Sequence, residues 1–386
     1  MSRKPFADPG EVSRARNRIM RCLSFALAAV TLTAAPVLSG ALEEHVLFEG
    51  LAVGEGWTTD DDSVLLSTNE GDPAGAADLQ FWQAIEFHPS FHLFAMEELS
   101  AESGSGEGTQ SELTLMLLRY SRRGDHPFSI DAGKITTPIG SFPDRHLADV
   151  NPLIGRPANY DLEYPLGVAF NGRVSRFDYM ASVVSLPLRD GRAMPEADDA
   201  PRPALAFGVT PFTGFRMGAF GTRGPFLGVE SEEMMAAGSS WREFDQQVIG
   251  LDFSFTRGYF VLNGEISTAS YEVPSHASKI HGKSWFLEGR QTITPRLFVA
   301  LRLEQSEYPF ILPISPAYWV ARPVNLYDAE AGLGFRISPT TLLKGSYRRD
   351  LWPVDESIRQ YYPEGYAVAL QLSQRFDVVS WFSRRP

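Results

Sequence analysis

The sequence predicts an all-β fold, a transmembrane antiparallel up-and-down β-barrel of about sixteen strands, with fourteen or eighteen as alternatives. Three observations predict it. From residue 42 onward, apolar residues recur at every second position, the period of a strand rather than of a helix. The connections alternate between short turns and long polar loops, so the turns share one rim of a meander and the loops the other. Opposite each apolar face runs a face that carries charges of both signs.

Taken in order, residues 1–41 read as an export signal. Arg14, Arg16, Arg18 and Arg21 precede an apolar run from Cys22 to Leu38, and Ser39-Gly40-Ala41 supplies small residues for cleavage before Leu42. Met20 is an alternative start. The seventeen-residue run is shorter than the ~20 residues of a membrane helix, and no later stretch is long enough, so no helical span is expected in the mature chain. Removing residues 1–41 takes six of 35 Lys/Arg and two of 47 Asp/Glu, which leaves 29 against 45, a net charge of about −16. Such acidity argues against a nucleic-acid partner, whose phosphates demand a basic surface. Cys22, the single cysteine, leaves with the signal, so no disulfide, thiolate or cysteine-metal chemistry is expected.

The strands themselves are clearest at the end of the chain. Tyr366, Val368, Leu370 and Leu372 alternate with Ala367, Ala369, Gln371 and Ser373. Leu205, Phe207 and Val209, then Ile249, Leu251 and Phe253, then Val299, Leu301 and Leu303 repeat the pattern. The register is less regular near 46–56 and 90–101. Short turns fall near 88–91, 121–126, 175–176, 211–214, 256–258, 294–295 and 338–339. Long loops fall near 57–77, 102–111, 136–161, 188–202, 222–242, 272–282, 308–325 and 350–364. Seven turns and eight loops separate sixteen strands. Three of the turns, "HPSF", "TPRL" and "SPTT", set proline behind a polar residue, where its fixed φ suits a reversal and no ladder bond is lost.

A soluble propeller would show a repeat about every four strands, and a sandwich would mix its connection lengths; neither mark is visible. In a bilayer the sheet must close, because an open edge leaves backbone groups unpaired. The charged face, with Arg173, Asp252, Glu265, Arg290, Arg302, Glu304, Glu330 and Arg336, then lines the lumen, and a barrel of this width keeps an aqueous interior. Gly250, Gly332 and Gly334 are expected to permit bends and widen that lumen, and Trp57, Trp241, Trp319 and Trp352 to form an aromatic girdle. Asp60, Asp61 and Asp62 read as a solvated acidic loop rather than a calcium loop. No HExxH or GxSxG pattern is present, so no enzyme, metal or cofactor is expected.

Two stretches carry a resemblance: "GKITTPIGSFPDRHLADVNPLIGRPANYD" at 133–161 and "GYAVALQLSQRF" at 365–376. With the overall organisation, they make residues 42–378 similar to the porin-type outer-membrane β-barrels of Gram-negative bacteria, in particular to porin-like proteins related to the phosphate-selective group. The resemblance implies a place in the bacterial outer membrane among its lipids and lipopolysaccharide, insertion by the barrel assembly machinery, a homotrimer, and passive diffusion of small hydrophilic solutes. It also implies that the third long loop folds into the lumen, with Asp144, Arg145, His146, Asp149 and Arg156 at a constriction. Two departures stand out. The chain continues past Phe376 with a short tail whose last part, 379–386, follows the barrel, and no lysine-rich ladder supports phosphate as the solute. The acidic excess predicts weak cation preference. Two alternatives remain: a hydrolase in which His146, Asp149 and a loop serine converge, and a structural barrel that anchors an envelope partner.

Overall fold

The computed structural model describes residues 46–60, 71–103, 109–124, 126–136, 139–158, 164–185, 200–315, 318–351 and 365–378. The expected signal at 1–41, the tail at 379–386, Asp61, Asp62 and Trp352 lie outside the described residues. The strands are β1 (Val46–Thr59), β2 (Ala74–His88), β3 (Phe91–Glu102), β4 (Thr109–Arg122), β5 (Phe128–Lys134), β6 (Leu166–Val174), β7 (Phe177–Val184) and β8 (Arg202–Phe212). They continue with β9 (Phe215–Pro225), β10 (Asp245–Arg257), β11 (Phe260–Tyr271), β12 (Ile280–Thr292), β13 (Leu297–Ser315), β14 (Tyr318–Ser338), β15 (Thr341–Leu351) and β16 (Gly365–Asp377). Each pairs antiparallel with the next, and β1 pairs with β16 from Glu49↔Asp377 to Thr59↔Ala367, which closes the sheet. The expected sixteen-stranded closed barrel is therefore the fold.

Alternation sets the two faces. Leu370 is 62% exposed and Phe207 63%, each on the outside, whereas their strand neighbours Gln371 and Ala204 are buried on the inside. A belt of large exposed Leu, Ile, Val and Phe side chains runs round the barrel, far more apolar surface than a soluble monomer leaves bare. Rings join along the outside of the short-turn rim: Phe87 to Phe91 at 6.2 Å, Phe91 to Tyr120 at 5.1 Å, Tyr120 to Phe128 at 6.0 Å and Phe128 to Phe170 at 5.4 Å. Among the described residues this Phe/Tyr band, not Trp57, Trp241 or Trp319, forms the aromatic belt. Trp241 and Trp319 are each 1% exposed in a loop-side cluster with Phe226, Leu227 and Ile311, and Trp57 faces the interior.

The proline turns work as read, and the polar residue ahead of each proline has a task. His88 Nδ1 accepts from Ser90 N at 3.1 Å, Thr294 Oγ1 from Leu297 N at 3.0 Å, and Ser338 Oγ from Thr340 N at 3.2 Å. The expected long loop at 308–325 is instead a hairpin extension, since β13 runs to Ser315 and β14 starts at Tyr318. Pro309, Pro313 and Pro323 made it read as a loop. The ladder tolerates them because Pro309 faces Pro323, and the flanking strands β12 and β15 pair no farther than Glu307 and Tyr327, so no third strand needs their missing donors. The glycines also differ from expectation. A Cβ on Gly250 would meet the Phe220 ring and one on Gly334 the Phe298 ring, so these positions seat inward side chains rather than widen the lumen.

Candidate functional site

The site is built by the third long connection, residues 135–165 between β5 and β6. A lone loop would float in water; this one carries apolar and backbone groups that the far wall satisfies. After a short 3-10 turn at Pro143–Arg145, it crosses the interior and docks on β11 to β16. Ser141 N donates to Glu265 at 3.2 Å, Ile154 N and Gly155 N donate to one oxygen of Glu330 at 3.2 and 2.9 Å, and Ala158 N donates to Glu304 at 3.0 Å. Lys344 Nζ donates to the carbonyls of Asn151 and Leu153 at 3.0 and 2.9 Å. Hydrogen bonds to charged partners contribute roughly 1.5–3 kcal/mol each, which offsets the entropy of ordering the loop.

Beneath the loop the wall carries an alternating charge network. Arg302, 1% exposed, reaches Glu330 at 2.6 Å and Glu288 at 3.2 Å, and Arg348 reaches Asp328 and Asp350, each at 3.0 Å. Arg145 descends from the loop onto Glu288, with its guanidinium 5.1 and 5.5 Å from the Phe142 and Phe286 rings. Burying so many carboxylates is costly unless cations interleave them, and here they do.

The structure brings together four of the five expected loop residues. Arg145 pairs with Glu288 as described. Asp149 pairs with Arg375 at 2.7 Å. His146 Nδ1 contacts Pro143 O at 2.6 Å and its Nε2 contacts the Tyr164 hydroxyl at 3.0 Å, so a neutral ring donates to the carbonyl and accepts from the phenol. Burial holds its pKa below the ordinary 6.5 and pushes the Tyr164 phenol up. Arg156 is exposed at the edge of the remaining opening. Asp144 lies in the 3-10 turn, and its side chain is outside what is described. Since both His146 nitrogens are engaged and Asp149 serves Arg375, the His146–Asp149 pair of a hydrolase is not formed.

Of the expected lumen charges, Glu265, Arg302, Glu304 and Glu330 form the docking wall. Asp252 pairs with Arg216 at 2.6 Å, Arg290 lies 5.7 Å from the Phe298 ring and feels the charge of Arg336, and Arg173 sits opposite Asp178 near the short-turn rim. Among the described residues no three His, Asp or Glu side chains converge on a metal position.

Between the loop and the β1–β3 side an opening of about 550 Å³ remains. Glu55, Asp78, Glu98 and Glu102 line one side of it and Arg156 the other. Sequence reasoning missed this acidic wall because the strand register was least regular there; the alternation Glu98, Ser100, Glu102 against Gln80 and Asp78 was its only signal.

A closed sixteen-stranded barrel with an apolar outside, a charged interior and, among the described connections, one folded across the lumen has a porin-like β-barrel fold. Solved structures agree at the level of fold. The chain is similar to an OmpF from Salmonella typhi in complex with daunomycin, at TM-score 0.60 and 12% identity over 86% of this chain and 97% of that one. It is similar to an anion-selective porin from Comamonas acidovorans, at TM-score 0.57 and 11% identity over 86% and 99%. It is also similar to the trimer form of OmpT, an outer membrane protein of Vibrio cholerae, at TM-score 0.55 and 12% identity over 86% and 99%. No protein-family model and no curated protein matches the sequence.

Proposed function

We propose that the protein is an outer-membrane porin, a water-filled channel for passive diffusion of small hydrophilic solutes, exported through the signal at 1–41 and without catalytic activity. The observation that carries this reading is the docked inner loop. It crosses the lumen and leaves beside it a cavity of about 550 Å³ lined by charged groups, which supports a narrowed passage rather than a sealed one. Arg145, His146, Asp149 and Arg156 act as constriction residues, the first three by holding the loop and Arg156 by facing the solute. The acidic opening disfavours phosphate as that solute. Conductance of the purified protein in planar bilayers tests the proposal: folded barrel that yields no steps would refute it, and removal of residues 143–156 should raise the unit conductance.

A trimer is proposed as well, supported by the likeness of the barrel to the trimer form of OmpT from Vibrio cholerae. Native mass measurement in detergent tests it, with a strictly monomeric species the contrary result.

A further inference from the structure

The two sides of the opening differ in hydrogen-bonding chemistry as well as in charge. Glu55 on β1, Asp78 on β2, and Glu98 and Glu102 on β3 bring four carboxylates to one side. Two amides complete this side, and each spends its N–H on a carboxylate. Gln371 Nε2 donates to Glu55 at 2.8 Å, and the Gln80 side chain hydrogen-bonds Glu98. Both amide oxygens are then left without a partner, Gln371 Oε1 on a side chain only 5% exposed. The amide donors of this side are therefore turned toward its own acids, and the acceptors that line the opening are its carboxylates.

Across the opening stands Arg156, close enough for its charge to act on Asp78 and Glu98. The carboxylates of the opposite wall do not share this situation, since Arg302, Arg348 and backbone N–H groups of the loop already hold them. One arginine against four carboxylates leaves an excess of about three negative charges facing the solute path. A compact metal ion does not fit this excess, because among the described residues no three carboxylates converge on one point. Negative charge spread over three strands suits an extended cation with two separated ammonium groups, each carrying three N–H donors for carboxylate oxygens.

Resting on the channel reading above, we propose that the acceptor wall of Glu55, Asp78, Glu98, Glu102, Gln80 and Gln371 is a selectivity site for small organic dications such as diamines.

The test uses the full mature protein in planar bilayers. Under a tenfold KCl gradient at low salt the reversal potential should favour potassium several-fold over chloride, and the preference should shrink at 1 M salt, where charges are screened beyond about 3 Å. 1,5-Diaminopentane should reduce the potassium current at roughly tenfold lower concentration than pentylamine, one unit of ten in affinity being about 1.4 kcal/mol. Asp78→Asn with Glu98→Gln should abolish both effects, and Arg156→Gln should strengthen the potassium preference. Because the carboxamides keep the shape of the wall, heat-modified gel mobility should certify that the barrel still folds; Arg156→Gln reads the same wall from the loop if the double variant does not assemble. Chloride preference, equal potency of the two amines, or unchanged selectivity in the variants overturns the dication site and leaves the channel standing. Absence of any current overturns both.

Discussion

Leu153 of the inner loop occupies the space that a side chain at residue 332 would need: a Cβ on Gly332 would lie 2.9 Å from Leu153 Cδ2. The bare position on β14 is thus the seat of the loop, with Lys344 closing over it through the Asn151 and Leu153 carbonyls. Gly332→Val should unseat the loop, since overpacking of this kind costs about 1–3 kcal/mol. Single-channel recording should give larger and noisier steps than the parent, with the barrel itself still folded. Steps of unchanged size would mean that the loop is held by its hydrogen bonds alone.

Arg302 is the cation that the docking wall can least lose. It neutralises Glu288 and Glu330, and Glu330 in turn receives Ile154 N and Gly155 N. Arg302→Met removes one charge and leaves carboxylates buried without it, a loss of about 3–5 kcal/mol for a buried network. Thermal unfolding in detergent should fall accordingly. Combining the change with Glu330→Gln should recover part of the loss, because one of the stranded charges disappears. Failure of that second change to help would show that the wall is hydrated enough to tolerate free carboxylates.

The fold was legible because its signal is long and repeated. Sixteen alternating segments with turns sorted by length admit few other arrangements, and the apolar faces from Leu205 to Leu372 were read correctly. The site was legible only in part. Arg145 and Asp149 could be suspected from their place in the longest loop, but their partners, Glu288 and Arg375, lie more than 140 residues away in sequence. Nothing local encodes such a pairing. The backbone N–H donors of Ser141, Ile154, Gly155 and Ala158 were invisible for a different reason, since any residue but proline supplies one. Gly250, Gly332 and Gly334 misled because a missing side chain reads as empty space, whereas a ring or a leucine fills it.

His146 gives the loop a pH response whose sign follows from its contacts. The folded loop binds the neutral ring, with Nε2 accepting from Tyr164, and burial lowers its pKa from 6.5. A group with a depressed histidine pKa contributes stability above its unfolded pKa, and that contribution is lost as pH falls below 6.5 through the folded value. Nitrogen NMR of labelled His146 should therefore give a midpoint below 6.5, and current noise should rise over the same acidic range. His146→Phe, which cannot be protonated, should remove the acid-dependent part of the noise. A midpoint above 6.5 would contradict the neutral assignment.

The seam that closes the barrel depends on a second bare position. Gly50 on β1 pairs with Phe376 on β16, and a Cβ at residue 50 would run into the Phe376 ring, which already meets Phe81 edge-on at 6.3 Å. Phe81 in turn meets Phe48 at 5.9 Å, so the ring has no free side to retreat to. Covering a strand glycine with a cross-strand aromatic pins register, and register at the first-to-last contact is what turns a sheet into a barrel. Gly50→Val should destabilise the closed form by about 1–3 kcal/mol. The measurement is the temperature at which the folded band is lost on seminative gels. Gly54→Val is the control: it lies four residues along the same strand, on the same face and opposite Leu372, with nothing within 4 Å of its Cβ position. It should leave that temperature unchanged. Equal losses in the two variants would assign the effect to β1 flexibility rather than to the Phe376 slot.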